Sequence, residues 1–218
     1  MTTLTALVDA AITLADTTND RILLGLSGAP GAGKSTLAWH LAAALTAAGV
    51  PATRVPMDGF HLSDAQLAAL GRRERKGALD TFDGWGYLAL LQRLRTERDH
   101  VVYAPEFDRT LEQPLAAGLA VAPDCHVVIT EGNYLLAPAA PWSSIRHLVH
   151  EIWHCDLDDA ERRHRLIERH QRFGKSAQAA ADWVAQVDEA NARQVNAWAP
   201  AATRRIDVAQ LGLPPGRD

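Results

Sequence analysis

The chain has 218 residues, which is enough to bury one sizeable hydrophobic core, and we expect a single domain over residues 1–218. Its composition, 47% apolar and 22% charged with a net charge of −4, excludes a disordered chain and gives no indication of a nucleic-acid partner. No basic residue precedes Arg21 and no apolar run reaches the roughly 18–20 residues of a bilayer span, so the sequence predicts a cytoplasmic protein with no membrane partner.

Apolar runs of strand length alternate with longer segments of helical periodicity, which predicts an α/β fold with a mainly parallel sheet. The predicted helices, in chain order, cover residues 3–16, 34–48, 63–70, 87–98, 158–172 and 176–197. The predicted strands cover residues 22–27, 52–57, 127–129, 151–155 and 206–208. Prolines and a glycine interrupt residues 101–124, so this segment is predicted to form only short extended pieces.

Residues 28–35, Gly-Ala-Pro-Gly-Ala-Gly-Lys-Ser, match the phosphate-binding pattern G-x-x-x-x-G-K-[ST] between a predicted strand and a predicted helix. Small residues let backbone N–H groups approach phosphate oxygens, and the helix N-terminus adds the positive end of its dipole. The predicted ATP site consists of Gly28, Ala29, Gly31, Ala32, Gly33, Lys34, Ser35 and Thr36. Within it we assign Lys34 to the β- and γ-phosphates, Ser35 to Mg²⁺ and Thr36 to the α-phosphate.

Two acidic residues follow predicted strands, at the sheet edge where parallel α/β folds bind ligands. Asp58 can accept the proton of an attacking hydroxyl group, although a carboxylate of an Asp-Gly turn is the alternative. Glu131 is placed to organise Mg²⁺, with a helix-capping or turn role as its alternative. Asn133 and Tyr134 follow as candidate acceptor contacts, and Tyr134 also fits a packing role.

Basic residues are concentrated in two segments. Arg165 and Arg169 lie one helical turn apart, and we predict that they close over the phosphates as part of a mobile lid at about 159–180. For most basic residues of this helix a solvated face is the alternative. The aromatic residues that usually accompany nucleic-acid binding are lacking apart from Phe173, so a nucleic-acid partner is not expected. Arg75 lies in a second basic loop, which either flanks the acceptor or is plain surface.

Several ordered motifs together resemble one family, the P-loop kinases that include uridine kinase, phosphoribulokinase and bacterial type I pantothenate kinase. The greatest similarity is to its nucleoside or nucleotide kinase-like proteins and fructose-transport-system kinases. The motifs lie at residues 28–36, 56–62, 75–77 with 81–83, Tyr103 with 107–109, 131–136, 165–170 and 191–193. The resemblance covers nearly the whole chain, and it implies a three-layer P-loop NTPase fold with an Arg-bearing helical lid.

The resemblance also implies an ATP- and Mg²⁺-dependent kinase that phosphorylates a hydroxyl group of a sugar, a nucleoside or a pantothenate-like metabolite. It implies that Asp58 is the catalytic base, that Glu131 helps to organise Mg²⁺, and that Arg165 and Arg169 belong to the lid. The predicted catalytic residues are Asp58, Lys34, Arg165 and Arg169. The predicted substrate-binding residues, in addition to Asp58, are His61, Arg75, Tyr103, Phe107, Arg109, Asn133, Tyr134 and Asn191.

The sequence leaves the acceptor open because two positions depart from the family pattern. Leu79 stands where relatives often have proline, and Val187 stands where an asparagine or serine precedes the Asn-Ala-Arg element. An ATP-hydrolysing switch or assembly protein and a relative that has lost catalysis are the alternatives. The second is disfavoured because Lys34, Ser35, Asp58 and Glu131 are all present. A guanine-specific switch is disfavoured, since no Asn-Lys-x-Asp element is present. The oligomeric state stays open, with a homodimer as the candidate.

Overall fold

The computed structural model of the protein describes residues 2–214. Its helices are α1 (Leu4–Ala15), α2 (Lys34–Ala47), α3 (Asp64–Ala69), α4 (Gly84–Thr96), α5 (Trp142–Ile145), α6 (Asp159–Arg172), α7 (Ala177–Trp183) and α8 (Glu189–Trp198). Its strands are β1 (Ile22–Gly28), β2 (Ala52–Pro56), β3 (Val102–Asp108), β4 (Gln113–Val121), β5 (Val127–Glu131), β6 (Glu151–Asp156) and β7 (Arg204–Asp207). Among the described residues, no helix combines the length and apolarity needed to cross a bilayer.

Five of the strands form a parallel sheet in the order β2-β5-β1-β6-β7. Strand β1 lies at the centre, and all seven of its residues are buried. Its sequence, Ile-Leu-Leu-Gly-Leu-Ser-Gly, has no charged side chain, as expected for a strand covered on both faces. The predicted α/β fold with a mainly parallel central sheet is confirmed.

Helices cover both faces of the sheet and enclose two apolar cores. On one face, α1 and α2 pack against β1, with Leu37, Leu41 and Leu45 at helical spacing and fully buried. On the other face, α4, α5, α8 and the β3–β4 pair enclose a second core that contains Tyr87 and Leu91. The protein therefore has three layers, and the ends of the parallel strands stay open for a site.

The β3–β4 pair is an antiparallel hairpin outside the main sheet. The sequence predicted only short extended pieces here because of its prolines, but a two-stranded sheet leaves edge positions where proline removes no ladder hydrogen bond. The hairpin lies against the turn Met57–Phe60, so closely that a Cβ on Gly59 would be 2.3 Å from the carbonyl oxygen of Pro105. Arg54 of β2 and Glu106 of β3 form an ion pair at 2.9 Å. These contacts fix the position of Asp58 within the turn.

Several element bounds differ from the predictions for local reasons. Helix α4 begins at Gly84 rather than residue 87, because the Asp83 carboxylate caps it by accepting from the Gly86 N–H at 2.8 Å. The helix predicted over 176–197 is interrupted by a π-helical turn, Val184–Asp188. The short helix α5 was not predicted, and the last strand begins at Arg204, two residues before its predicted start.

Arg21 is a fully buried cation just before β1. Its guanidinium group donates to five backbone carbonyl groups, those of Cys125 (2.9 Å), Leu94 (2.9 Å), Glu97 (3.3 Å), Ala122 (2.8 Å) and Pro123 (3.2 Å). These acceptors belong to the end of α4 and to the loop before β5. Arg21 therefore joins both segments to the central strand at the edge opposite the P-loop.

Arg21→Met is expected to destabilise the protein strongly, because it leaves carbonyl groups buried without donors. Each unsatisfied buried group costs about 1–3 kcal/mol of unfolding free energy. Urea denaturation monitored by tryptophan fluorescence measures this loss. Arg146→Met, at an exposed arginine just after α5, is the matched control and should unfold like the unsubstituted protein. Equal stability of the two variants would show that the Arg21 network contributes nothing.

Candidate active site

The loop between β1 and α2 has the shape of a phosphate cradle. Gly31 and Gly33 have φ angles of 79° and 86°, in the left-handed region that favours glycine. A Cβ on Gly31 would lie 2.7 Å from Cγ of Leu166 and 3.0 Å from the carbonyl oxygen of Arg162. Side chains are thus excluded between the loop and α6. The exposed backbone at the N-terminus of α2 fits a phosphate group.

Lys34 is folded back over this loop. Its side chain is buried, and Nζ donates to the carbonyl oxygen of Ala29 at 3.0 Å. Burial lowers the pKa of Lys34, and the neighbouring carboxylates of Glu131 and Asp58 oppose that shift. The ammonium group is therefore held above the cradle at the place where it can contact phosphate oxygens.

Ser35 and Glu131 place oxygen atoms beside the cradle. The Ser35 hydroxyl group donates to Oε1 of Glu131 at 2.8 Å. Glu131 is the last residue of β5 and pairs in register with Leu26 of β1, so the strand pairing sets its distance from the loop. Hydroxyl and carboxylate oxygens are the ligands that Mg²⁺ prefers, and this pair fits a metal that keeps its remaining ligands from water and phosphate.

Asp58 lies at the same edge of the sheet, because β2 is the neighbour of β5. Its Oδ2 accepts from Nη2 of Arg109 at 3.4 Å, and its Oδ1 is 3.9 Å from Nε2 of His61. The imidazole ring of His61 stacks on Phe82 with ring centroids 4.0 Å apart. His61 just after the turn and Arg109 after β3 thus lie beside the carboxylate, and Phe82 packs against His61.

The pKa values of the two carboxyl groups of the site, Glu131 and Asp58, are shifted in opposite directions. Burial and the negative charge of Asp58 raise the pKa of Glu131. Burial also disfavours the Asp58 carboxylate, but the positive groups around it outweigh burial and lower the pKa of Asp58. The positive charge of His61 contributes most to this lowering, followed by those of Arg109, Lys34 and Arg169. Burial lowers the pKa of His61 itself to about 4. Asp58 is therefore ionised and able to accept a proton.

A cavity of about 850 Å³ opens between the P-loop, the hairpin and α6 to α8. The predicted residues that the structure brings together along its wall are Gly31, Lys34, Ser35, Asp58, His61, Phe107, Arg109, Glu131, Asn133, Arg169 and Asn191. The other predicted ATP-site residues, Gly28, Ala29, Ala32, Gly33 and Thr36, belong to the loop and the first turn of α2. The P-loop end of the cavity and its far end, at Asn191 of α8, thus form one continuous space.

Four predicted residues outside the ATP-site segment 28–36 lie away from the cavity wall. Tyr103 is 59% exposed on the hairpin surface, and Arg75 forms an ion pair with Asp80. Tyr134 is fully buried and donates its hydroxyl proton to the carbonyl oxygen of Gly77 at 2.5 Å. Arg165 pairs with a glutamate of its own helix. The structure therefore gives Tyr134 a packing position and places Tyr103 and Arg75 outside the cavity wall.

Sequence reasoning missed one cation that holds the site together. Arg162 is buried, with its Nη1 3.4 Å from the carbonyl oxygen of Pro30 in the P-loop. It also forms ion pairs with Asp159 of its own helix and Glu189 of α8. No local signal distinguished Arg162, since it belongs to a run of basic residues in which exposure depends on tertiary packing.

Comparison with known proteins identifies relatives across most of the chain, although no family model matches it. An ATP-dependent kinase-like protein of Aspergillus versicolor is 42% identical over 125 residues, which are 54% of this chain and 73% of that protein. A Schizosaccharomyces pombe protein whose name proposes a uridine kinase is 35% identical over 156 residues, 69% of this chain and 66% of that protein. The chain belongs to the uridine kinase-like family of P-loop kinases.

A solved structure supports the same family. The crystal structure from Silicibacter sp. TM1040, whose name proposes a fructose transport system kinase, is 39% identical to this P-loop kinase. The two superpose with a TM-score of 0.86 over 94% of this chain and 100% of that one. The family resemblance predicted from the ordered motifs is therefore confirmed.

In this P-loop kinase the two arginines predicted for the lid differ in position. Arg169 lines the cavity, and its charge acts on both Lys34 and Asp58. Arg165 instead donates from Nε to Oε1 of Glu161 at 2.9 Å and lies on the Gly33 side of the loop. The geometry favours Arg169 as the arginine that reaches the phosphates.

The opposite pKa shifts of the two carboxyl groups predict opposite effects on stability. Without nucleotide and Mg²⁺ at pH 7.5, Glu131→Gln should raise the melting temperature. The substitution removes a carboxyl group that is harder to ionise in the folded protein than in the unfolded chain. Asp58→Asn should lower it, because folding favours that carboxylate. Differential scanning fluorimetry at several pH values measures both effects.

The pH dependence follows from the same signs. The penalty at Glu131 is present above its raised folded pKa and disappears as pH falls below the ordinary value of 4.5. The contribution of Asp58 is present above the ordinary value of 3.8 and is lost as pH falls through its lowered folded pKa. A shift of both variants in the same direction at pH 7.5 would contradict the electrostatic account.

Proposed function

We propose that this P-loop kinase transfers the terminal phosphoryl group of ATP to a hydroxyl group of a small metabolite. The observation that carries the proposal is the common cavity, in which the ionised Asp58 carboxylate faces the phosphate cradle and Lys34. The volume of about 850 Å³ leaves room for an acceptor beside the nucleotide. The uridine kinase and fructose transport system kinase named among the relatives make a nucleoside or a sugar the candidate acceptors.

The P-loop and its neighbours bind and orient the phosphates. Lys34 and the N-terminus of α2 supply positive charge to the β- and γ-phosphates. Ser35 and Glu131 would hold Mg²⁺, which when bound neutralises charge on the phosphate oxygens. The short contact between these two side chains keeps the oxygen ligands in place before the metal binds.

Asp58 acts as the general base in this mechanism. Its carboxylate accepts the proton of the acceptor hydroxyl, whose oxygen forms the new bond to phosphorus while the bond to the ADP oxygen breaks. Arg109 holds the carboxylate through its contact at 3.4 Å and keeps it ionised. Arg169 closes the phosphate end of the cavity and excludes water that would otherwise compete with the acceptor.

An ATP-hydrolysing switch protein is the second candidate, and one feature argues against it. A switch needs to position only a water molecule, whereas the cavity continues past Asp58 to Asn191 on α8. A rate of ADP release that a small hydroxyl compound stimulates favours the kinase, and a rate that no such compound changes favours the switch.

Substitution of Lys34 and Asp58 should separate binding from chemistry. Lys34→Ala is expected to lose ATP affinity, because the buried ammonium group supplies the phosphate contact. Asp58→Asn is expected to keep ATP affinity and to lose about 10²–10⁴-fold in kcat, the usual contribution of a general base. Isothermal titration with ATP and a coupled ADP assay measure the two quantities. Normal turnover in Asp58→Asn would remove this residue from the mechanism.

The two lid arginines provide a matched comparison on one helix. Arg169→Ala should lower kcat by a factor on the order of 10³, as for arginines that stabilise charge in phosphoryl transfer. Arg165→Ala should stay close to the unsubstituted enzyme, because its exposed pair with Glu161 contributes little. Steady-state kinetics at saturating ATP tests the ranking, and a larger loss in Arg165→Ala would reverse the assignment.

A further inference from the structure

Three cations at the far end of the cavity, beyond Asp58, already have anionic partners. Lys76 lies 2.7 Å from Oδ1 of Asp64, and Arg73 is 3.5 Å from the other oxygen of the same carboxylate. Arg109 forms an ion pair with Asp58. A carboxylate or phosphate on the acceptor would have to take one of these cations from its carboxylate partner, or Lys175 from the ring of Trp183. The charge pattern therefore favours an acceptor without a charge of its own.

Two aromatic rings of the cavity wall, Phe107 and Trp183, already have cations over them. Lys76 and Arg109 lie 5.5 Å and 5.8 Å from the ring centre of Phe107. Lys175 lies 4.7 Å from the ring of Trp183. A flat nucleobase binds best to an aromatic face that is free to stack. Cations take that place on these two rings, which favours a sugar-like acceptor over a nucleoside.

A carboxylate–imidazole pair faces the remaining space. Asp188 is buried at the end of the π-helical turn Val184–Asp188, and Nε2 of His170 lies 2.9 Å from its Oδ2. Both residues line the cavity. A carboxylate has about four acceptor sites, so one hydrogen bond to His170 leaves capacity for a hydroxyl group. π-helical turns are found frequently at functional sites.

Asn191 adds an uncharged polar group next to this pair. It lies three residues after Asp188 on α8, and its Nδ2 donates to the carbonyl oxygen of Gly77 at 3.2 Å. That same carbonyl oxygen accepts a hydrogen bond from Tyr134. The loop with Gly77, the segment after β5 and helix α8 therefore meet at one atom. The hydrogen bond fixes the orientation of the amide, which presents polar atoms to a hydroxyl compound.

We infer that the acceptor is an uncharged polyhydroxylated compound, and that the Asp188 carboxylate, oriented by His170, accepts a hydrogen bond from a hydroxyl group that is not phosphorylated. The inference rests on the proposed kinase function. It assigns to Asp188 a role in substrate specificity, whereas Asp58 acts on the reacting hydroxyl group. The acceptor thus lies between two carboxylates, one at the turn after β2 and one at the start of α8.

The class of acceptor is tested with matched neutral and anionic probes. ADP release is measured with Mg·ATP and D-fructose, D-fructose 1-phosphate, D-sorbitol, D-gluconate or uridine. The account predicts that kcat/KM for the best neutral sugar or polyol exceeds that of its anionic counterpart and of uridine by at least tenfold. A higher kcat/KM for an anionic probe or for uridine overturns this inference and leaves the kinase function intact. No stimulation by any probe, with ATP binding retained, overturns both.

The role of Asp188 is tested with the best neutral acceptor. Asp188→Asn should raise its KM about tenfold or more, as for a lost hydrogen bond to a charged group, while kcat and the KM for ATP stay unchanged. The unsubstituted enzyme should discriminate against one monodeoxy analogue of that acceptor, and Asp188→Asn should not. Asp9→Asn, at an exposed position on α1, is the control. Retained discrimination in Asp188→Asn, or a loss of ATP affinity, would assign Asp188 a structural role only.

Discussion

The parallel pairing of β2, β5 and β1 is the constraint on which the site depends. Because neighbouring parallel strands end at one edge, the turn with Asp58, the strand end with Glu131 and the P-loop open onto the same space. None of the three segments is close to another in the sequence. The buried cores on both faces of the sheet therefore stabilise the fold and also set the geometry of the site.

The site concentrates charge that folding alone would not favour. Lys34 and Glu131 are both buried. Burial lowers the pKa of Lys34 and raises the pKa of Glu131, which in each case favours the neutral form. The attraction between the two charges and the hydrogen bond from Ser35 to Glu131 partly offset the cost of burial. Such a site is stabilised when phosphates and a metal add the missing charges. The buried charges therefore destabilise the free protein, and ligands that neutralise them should bind tightly.

The sequence predicted what local patterns determine, and it failed where tertiary contacts decide. The P-loop and the acids at the ends of β2 and β5 follow from spacing within a strand and a turn. The choice between Arg165 and Arg169 does not, because both lie on one helix and only the packing of α6 decides which faces the cavity. The pair His170–Asp188 was missed because its two residues are 18 positions apart and the π-helical turn aligns them.

The most direct test is a crystal structure with Mg²⁺ and a non-hydrolysable ATP analogue. With an acceptor oxygen about 3–3.5 Å from phosphorus and within hydrogen-bond reach of the base, the account predicts the Asp58 carboxylate within about 6 Å of the terminal phosphorus. Ser35 and Glu131 should lie beside the metal ion. A terminal phosphate that points out of the cavity, with Asp58 turned away from it, would contradict the account.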